Sequence, residues 1–135
     1  MSSFRIFDIA GSALSAQSVR LNTVASNMAN ADAVSGDPNK VYRERLPVFQ
    51  AAPVAGSADS AAVKVLGVVE SSAPPDKRYE PGNPLADGQG YVYAPNINSV
   101  EQMVNMISAS RAYQGSVEVM NTAKSLALQT LNIGK

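Results

Sequence analysis

The stretch NSVEQMVNMISASRAYQGSVEVMNTAKSLALQTLNI, Asn98 to Ile133, contains no proline and carries only Glu101, Arg111, Glu118 and Lys124 as charges. Steps of three and four residues place Met103, Met106, Ser110, Tyr113, Val117, Met120, Lys124, Ala127 and Leu131 on one stripe, which Val104, Ile107, Ala123 and Leu128 widen. A 3-4 alternation sustained this long is the seam of a helix that packs along another helix. Such a helix is roughly 50 Å long at 1.5 Å per residue, more than a globule of this size can usefully cover. Pro95 precedes it, and Asn98 and Ser99 each stand three residues before Glu101 and Gln102, the spacing of a capping box. Gly134 follows the last apolar residue, where helices commonly stop.

Residues 3 to 29 mirror this segment. Phe4, Phe7, Gly11, Leu14, Ser18, Leu21, Ala25 and Met28 keep a strict 3-4 spacing, with Arg5, Asp8 and Arg20 as the only charges. A helix facing water ordinarily carries a charged outer face. Both segments carry serine, asparagine, glutamine, threonine and alanine there instead, which suits surfaces buried against other protein. Two such helices cannot cover each other on every side, so the remaining cover is expected from other subunits. A helical hairpin inside an ordinary globule with a charge-poor surface is the plainer alternative.

Between the two segments the composition changes. All 8 prolines fall from Pro38 to Pro95. Residues 31–40 read as a loop from their Gly, Pro, Asp and Asn content. Val41 to Phe49 is strand-like, held to an edge by Pro47, and Ala62 to Glu70 is the clearest strand, with a bulge expected at Gly67. Ala51 to Ala61 reads as a mobile Ala/Ser/Gly segment, Ser71 to Gly90 as turns, and Tyr91 to Tyr93 as a short closing strand. The expected fold is mainly α: terminal helical segments 1–30 and 98–135 around a small proline-rich β insert, 31–97.

Lysine plus arginine balance aspartate plus glutamate at 11 each, so no net field draws nucleic acid or anionic lipid. The chain has no cysteine and no histidine, which removes disulfides, thiol nucleophiles, and the commonest general base and metal ligand. Asp32, Asp37 and Asn39 lack the alternation of a calcium loop. Asp76, Glu80 and Asp87 sit in a turn-rich region that offers no substrate cleft. Gly88-Gln89-Gly90 lacks the spacing of a phosphate loop. No catalytic, cofactor or metal site is expected. No cleavable signal peptide is read at the N-terminus, and no apolar run is long enough to span a bilayer.

Several stretches resemble, in order, the flagellar rod and hook protein family, and within it the proximal rod branch. They are Ile6 to Leu14, Ala25-Ser26-Asn27-Met28-Ala29-Asn30-Ala31-Asp32 (this chain's form of the N-x-A-N motif), Tyr42-Arg43, Pro47-Val48-Phe49, Tyr79 to Pro84, Gly90-Tyr91-Val92, Pro95 to Asn98, Glu101 to Gln114 and Glu118 to Ser125. Only about residues 50 to 62 carry no likeness. The resemblance implies terminal helices paired as an antiparallel coiled coil. It implies a structural subunit stacked helically into the proximal rod, a hollow shaft that crosses the periplasm, transmits motor torque and passes exported subunits. Export by the flagellar type III apparatus without a cleavable signal is implied too. The two unpartnered seams themselves predict terminal helices that are largely disordered in the monomer and order at the growing tip. The implied partners are further copies of the chain, the rod proteins FlgB, FlgF, FlgG and FliE, and the nearby MS ring. Phe4, Phe7, Leu14, Leu21, Met28, Met103, Met106, Tyr113, Val117, Met120 and Leu131 are expected on the coiled-coil seam. Ser18, Asn22, Asn27, Asn30, Asn105, Arg111 and Gln114 are expected at contacts between subunits. A secreted helical effector or adhesin without enzymatic activity is the competing reading.

Overall fold

The computed structural model describes residues 3–54 and 60–134, with side chains from Arg5 onward. The middle of the expected Ala51–Ala61 mobile segment, residues 55–59, and the side chain of Phe4 lie outside the described residues. Two long helices, α1 (Ser3–Asn30) and α2 (Ser99–Ile133), enclose four strands in the chain: β1 (Arg45–Pro53), β2 (Ala61–Glu70), β3 (Asp76–Tyr79) and β4 (Tyr91–Ala94).

α2 starts where its cap is made. The Asn98 side-chain oxygen accepts the amides of Val100 at 3.0 Å and Glu101 at 3.3 Å, satisfying two donors that the first turn leaves free. Gly134 is the C-cap. The helices run antiparallel: Asn27 meets Gln102, Arg20 meets Asn105, and Ile6 to Ala13 line a cleft with Ala112 to Val119.

α1 is the middle layer. One face lies on α2 and the next carries the β1–β2 hairpin, whose close backbone approach is to α1, while Arg45, Leu46, Pro47 and Phe49 share a cleft with Gln102 and Asn105 of α2. Val63 at the far end of β2 donates its amide to the Ser12 hydroxyl at 3.0 Å. Arg45 at the near end of β1 is bound by Asn27 at 2.9 Å. The pair is antiparallel, and its register slips where Val48 faces Gly67 but Phe49 faces Val65, leaving Leu66 as the extra residue of a bulge. The strand also takes in Ala51–Pro53, part of the segment expected to be mobile. Pro47 and Pro53 carry no amide donor, which suits a strand with one unpaired edge.

β3 and β4 form a second antiparallel pair, and Ser35 bridges to Tyr93 on the free side of β4. Asp76–Tyr79 read as turn in the sequence because all four residues are exposed and three are charged, so no apolar alternation marks the strand. Backbone pairing with β4 makes it one, helped by Lys77 Nζ at 3.9 Å above the Tyr91 ring and by Tyr79 edge-on to Tyr91 at 5.1 Å. Val92, Ala94 and Pro95 in and after β4, and Val41 and Ala31 in the segment that follows α1, are buried. Gly36 is required here: a Cβ on it would lie 2.5 Å from the Leu85 carbonyl oxygen. Gly36→Ala is expected to lose about 2 kcal/mol of stability through the forced backbone shift, read as a lower thermal midpoint.

Candidate assembly interface

The side of α2 that meets α1 follows a strict 4-3 repeat: Gln102, Met106, Ala109, Tyr113, Ser116, Met120, Ala123 and Ala127. Gln102, Ala109 and Ala123 are buried, and the others are half-buried except Tyr113, which is 38% exposed. On α1 the matching row is Ala10, Ala13, Gln17, Arg20, Val24 and Asn27, all buried or half-buried. The row shares Met106, Tyr113, Met120 and Ala127 with the stripe read from the sequence but runs through Gln102 and Ser116 in place of Met103 and Val117. Met103 and Leu131, expected on the intrachain seam, are exposed in the chain, the latter at 69%. At Ala109, Ser116 and Ala123 the side chains are small enough for the two backbones to approach closely, while Met106, Tyr113 and Met120 fill the steps between.

Phe7, Leu14, Leu21 and Met28 are half-buried. Leu14, Leu21 and Met28 each follow a residue of the α1 row directly, as Met103 and Val117 follow Gln102 and Ser116 on α2. One residue is about 100° of helix, and because the helices are antiparallel this step turns both sets to the same side of the pair. The hairpin contacts Ser12, Val19 and Thr23, residues that precede the α1 row, and so covers the opposite side. Phe7, Leu14, Leu21, Met28, Met103 and Val117 therefore form one apolar side of the helix pair that the hairpin does not cover. Val100, Met103, Val104 and Ile107 extend the exposed apolar surface around α2, with Val100 69% exposed. Beyond about Ala123, α2 outruns the start of α1, and Leu126, Leu128, Leu131 and Ile133 stand exposed on the overhang. An isolated soluble chain seldom leaves this much contiguous apolar surface uncovered.

Where α1, α2 and β1 converge lies a polar centre. Asn27 is 1% exposed. Its Nδ2 donates to the Arg45 carbonyl at 2.9 Å and to Gln102 Oε1 at 3.2 Å. Its Oδ1 accepts the Arg45 amide at 2.9 Å and the Tyr42 hydroxyl at 3.0 Å. All four hydrogen-bonding positions of the amide are thus used inside the chain. Since Tyr42 gives its proton to Asn27, the Ser26 hydroxyl, 3.0 Å away, donates to Tyr42. Gln102 Nε2 donates to Glu44 Oε1 at 2.7 Å. Asn27, expected at a contact between subunits, is thus engaged within the chain. Asn105 accepts Arg20 Nη2 at 2.8 Å, and Asn30 Nδ2 donates to the Ser26 carbonyl at 2.8 Å. Ser18, Asn22, Arg111 and Gln114 are exposed on the helices. The Asn27 centre escaped sequence reasoning because helix asparagines were read by polarity as surface; the usable signal was that Asn27 and Gln102 each continue a seam row.

Among the described residues no group of acidic side chains could hold a metal, and no helix is long and apolar enough to cross a membrane. Asp37 and Asp87 instead close turns, the Oδ1 of each accepting a nearby backbone amide. The Asp87 carboxyl lies below the ordinary carboxylate range, chiefly through the Tyr91 amide, then through Gln89, Tyr93 and the charge of Lys77, against an opposing desolvation. A lowered folded value means the carboxylate's contribution is complete above the unfolded value and is lost as pH falls through the folded one. Acid below about pH 4 is therefore expected to loosen the 87–91 turn, and Asp87→Asn to remove that pH dependence. The Tyr91 amide shift, followed by NMR through an acid titration, checks it.

The N-terminal helix and the C-terminal third match two family profiles, "Flagella basal body rod protein" over residues 7–36 and "Flagellar basal body rod FlgEFG protein C-terminal" over residues 89–133. Over its full length the chain is 56% identical to the flagellar basal-body rod protein FlgC of Escherichia coli O6:H1, and the whole of that protein is covered. The chain belongs to the FlgC family of flagellar basal-body rod proteins. It is 55% identical to FlgC of Salmonella typhimurium and 42% to that of Buchnera aphidicola subsp. Schizaphis graminum, again with all of each chain covered. As a FlgC-family chain it is a structural subunit of the basal-body rod. The two profile matches fall on α1 and on β4 with α2, the parts that carry the helix pair.

Proposed function

We propose that this chain polymerises through its terminal helices into the wall of the proximal rod, a hollow periplasmic shaft that transmits torque and passes exported subunits. In that role residues 1–30 and 98–135 act as the polymerisation domain, paired as an antiparallel coiled coil, and residues 31–97 as an insert. The chain performs no catalysis and needs no cofactor. Its neighbours are further copies of itself, the rod proteins FlgB, FlgF, FlgG and FliE, and the MS ring nearby, and it is delivered by the flagellar type III apparatus. One observation carries the reading: the side of the helix pair formed by Phe7, Leu14, Leu21, Met28, Met103 and Val117, with the α2 overhang, has apolar surface and little charge to keep it in water. Burial at about 25 cal/mol per Å² makes such a surface a driving force for association. Ser18, Asn22, Arg111 and Gln114, exposed around it, supply polar contacts to neighbours.

Mass spectrometry of purified basal bodies carrying a tagged chain tests the proposal. Recovery of the chain with the rod, at a fixed ratio to the other rod proteins, is expected. Recovery only as monomer in the medium or at the cell surface would refute it.

A further inference from the structure

The helix–helix seam does not define its own alignment. Its α2 row presents Ala109, Ser116 and Ala123 at intervals of seven, so a slide by one heptad sets a small residue where another small residue stood. Apolar packing of this kind discriminates weakly between neighbouring registers. The polar residues in the row discriminate strongly, because a slide parts Asn27 from Gln102 and leaves one buried hydrogen-bonding position on each amide unfilled. Asn27 and Gln102 are buried and bonded to each other, and Asn27 also holds both backbone groups of Arg45.

We propose that the Asn27–Gln102 pair is a register lock: it selects one alignment of α1 on α2 and, through the two bonds to Arg45, fixes the hairpin at the same point. Asn27 is thereby a positioning residue with two separable arms, one to α2 and one to β1. The argument rests on the geometry within one chain, independently of the rod assignment, so either can fail without the other.

The chain has no native cysteine, which makes alignment directly readable. Ala13 and Ser116 line the same cleft between the helices. A one-heptad slide moves a residue about 10 Å along the axis, beyond the span of a disulfide. The purified full chain would carry Ala13→Cys with Ser116→Cys, or with Ala109→Cys or Ala123→Cys as slip reporters, and disulfide yield would be measured after mild oxidation. With Asn27 and Gln102 intact, the 13–116 bond is expected almost alone. Adding Asn27→Leu should raise the slip bonds about tenfold, the population change that one stranded buried amide accounts for. Gln102→Leu cuts the α2 arm, together with the Gln102 bond to Glu44, and leaves both Asn27 bonds to Arg45 in place. It should raise the slip bonds similarly while leaving the Arg45 amide protected from exchange, so it decides the matter if Asn27→Leu does not fold. Slip bonds that stay at the unsubstituted level in Gln102→Leu would overturn the lock. So would loss of helix in that variant, or no preference for 13–116 with both residues intact.

Discussion

Cells whose only copy of this chain carries Leu21→Asp or Val117→Asp are expected to be non-motile, with basal bodies that stop short of a complete rod. Both residues are half-buried on the apolar side of the helix pair that the hairpin leaves uncovered. Within the single chain an aspartate there still reaches water, so the substitution costs the isolated protein only about 1 kcal/mol. In the rod the same carboxylate is enclosed by neighbouring subunits with no partner, and each copy repeats the penalty. The expected signature is a gap between two readouts: secretion and thermal midpoint near those of the unsubstituted chain, assembly lost. A drop in stability as large as the drop in assembly would instead place Leu21 and Val117 inside the chain's own core.

Ala109→Leu should behave in the opposite way. Ala109 is fully buried in the α2 row that faces α1, and nothing around it can accept three more carbons. Overpacking at such a point costs about 2 kcal/mol, a fall of roughly 6 °C in thermal midpoint for a domain of this size. Ala109→Arg, which adds an unpaired charge, should remove the helix pairing altogether. Circular dichroism melts of the purified chain read both effects, and motility should follow stability here rather than depart from it. If Ala109→Leu melts with the unsubstituted chain, the close approach of α1 to α2 at this position is wrong.

The contrast between these substitutions shows which layer of the fold the amino acids spell out and which they conceal. The two helices were plain in the 3-4 spacing, the missing prolines and the Asn98 cap, all of which act locally. The row that joins them was not, because it runs through alanine, serine and glutamine, and a hydrophobic stripe drawn by side-chain size settles one residue to the side, on Met103 and Val117. In the proposed rod the displaced stripe is the apolar surface that neighbours would cover. β2 was visible from its valines and the bulge from Gly67, whereas β3 depends on backbone pairing with a strand twelve or more residues away and carries no apolar pattern of its own. Asn27 was hidden for a third reason. Its partners Tyr42, Arg45 and Gln102 are distant in the chain, and only folding shows that a helix asparagine spends its whole amide inside.

A map of the intact basal body, with this chain built into the rod, measures the main claim most directly. Expected are Leu21, Met103 and Val117 packed against neighbouring subunits, with the α2 overhang from Lys124 to Ile133 covered as well. The same side chains facing open solvent in the assembled rod, with subunits joined through the β1–β2 hairpin alone, would contradict polymerisation through the terminal helices.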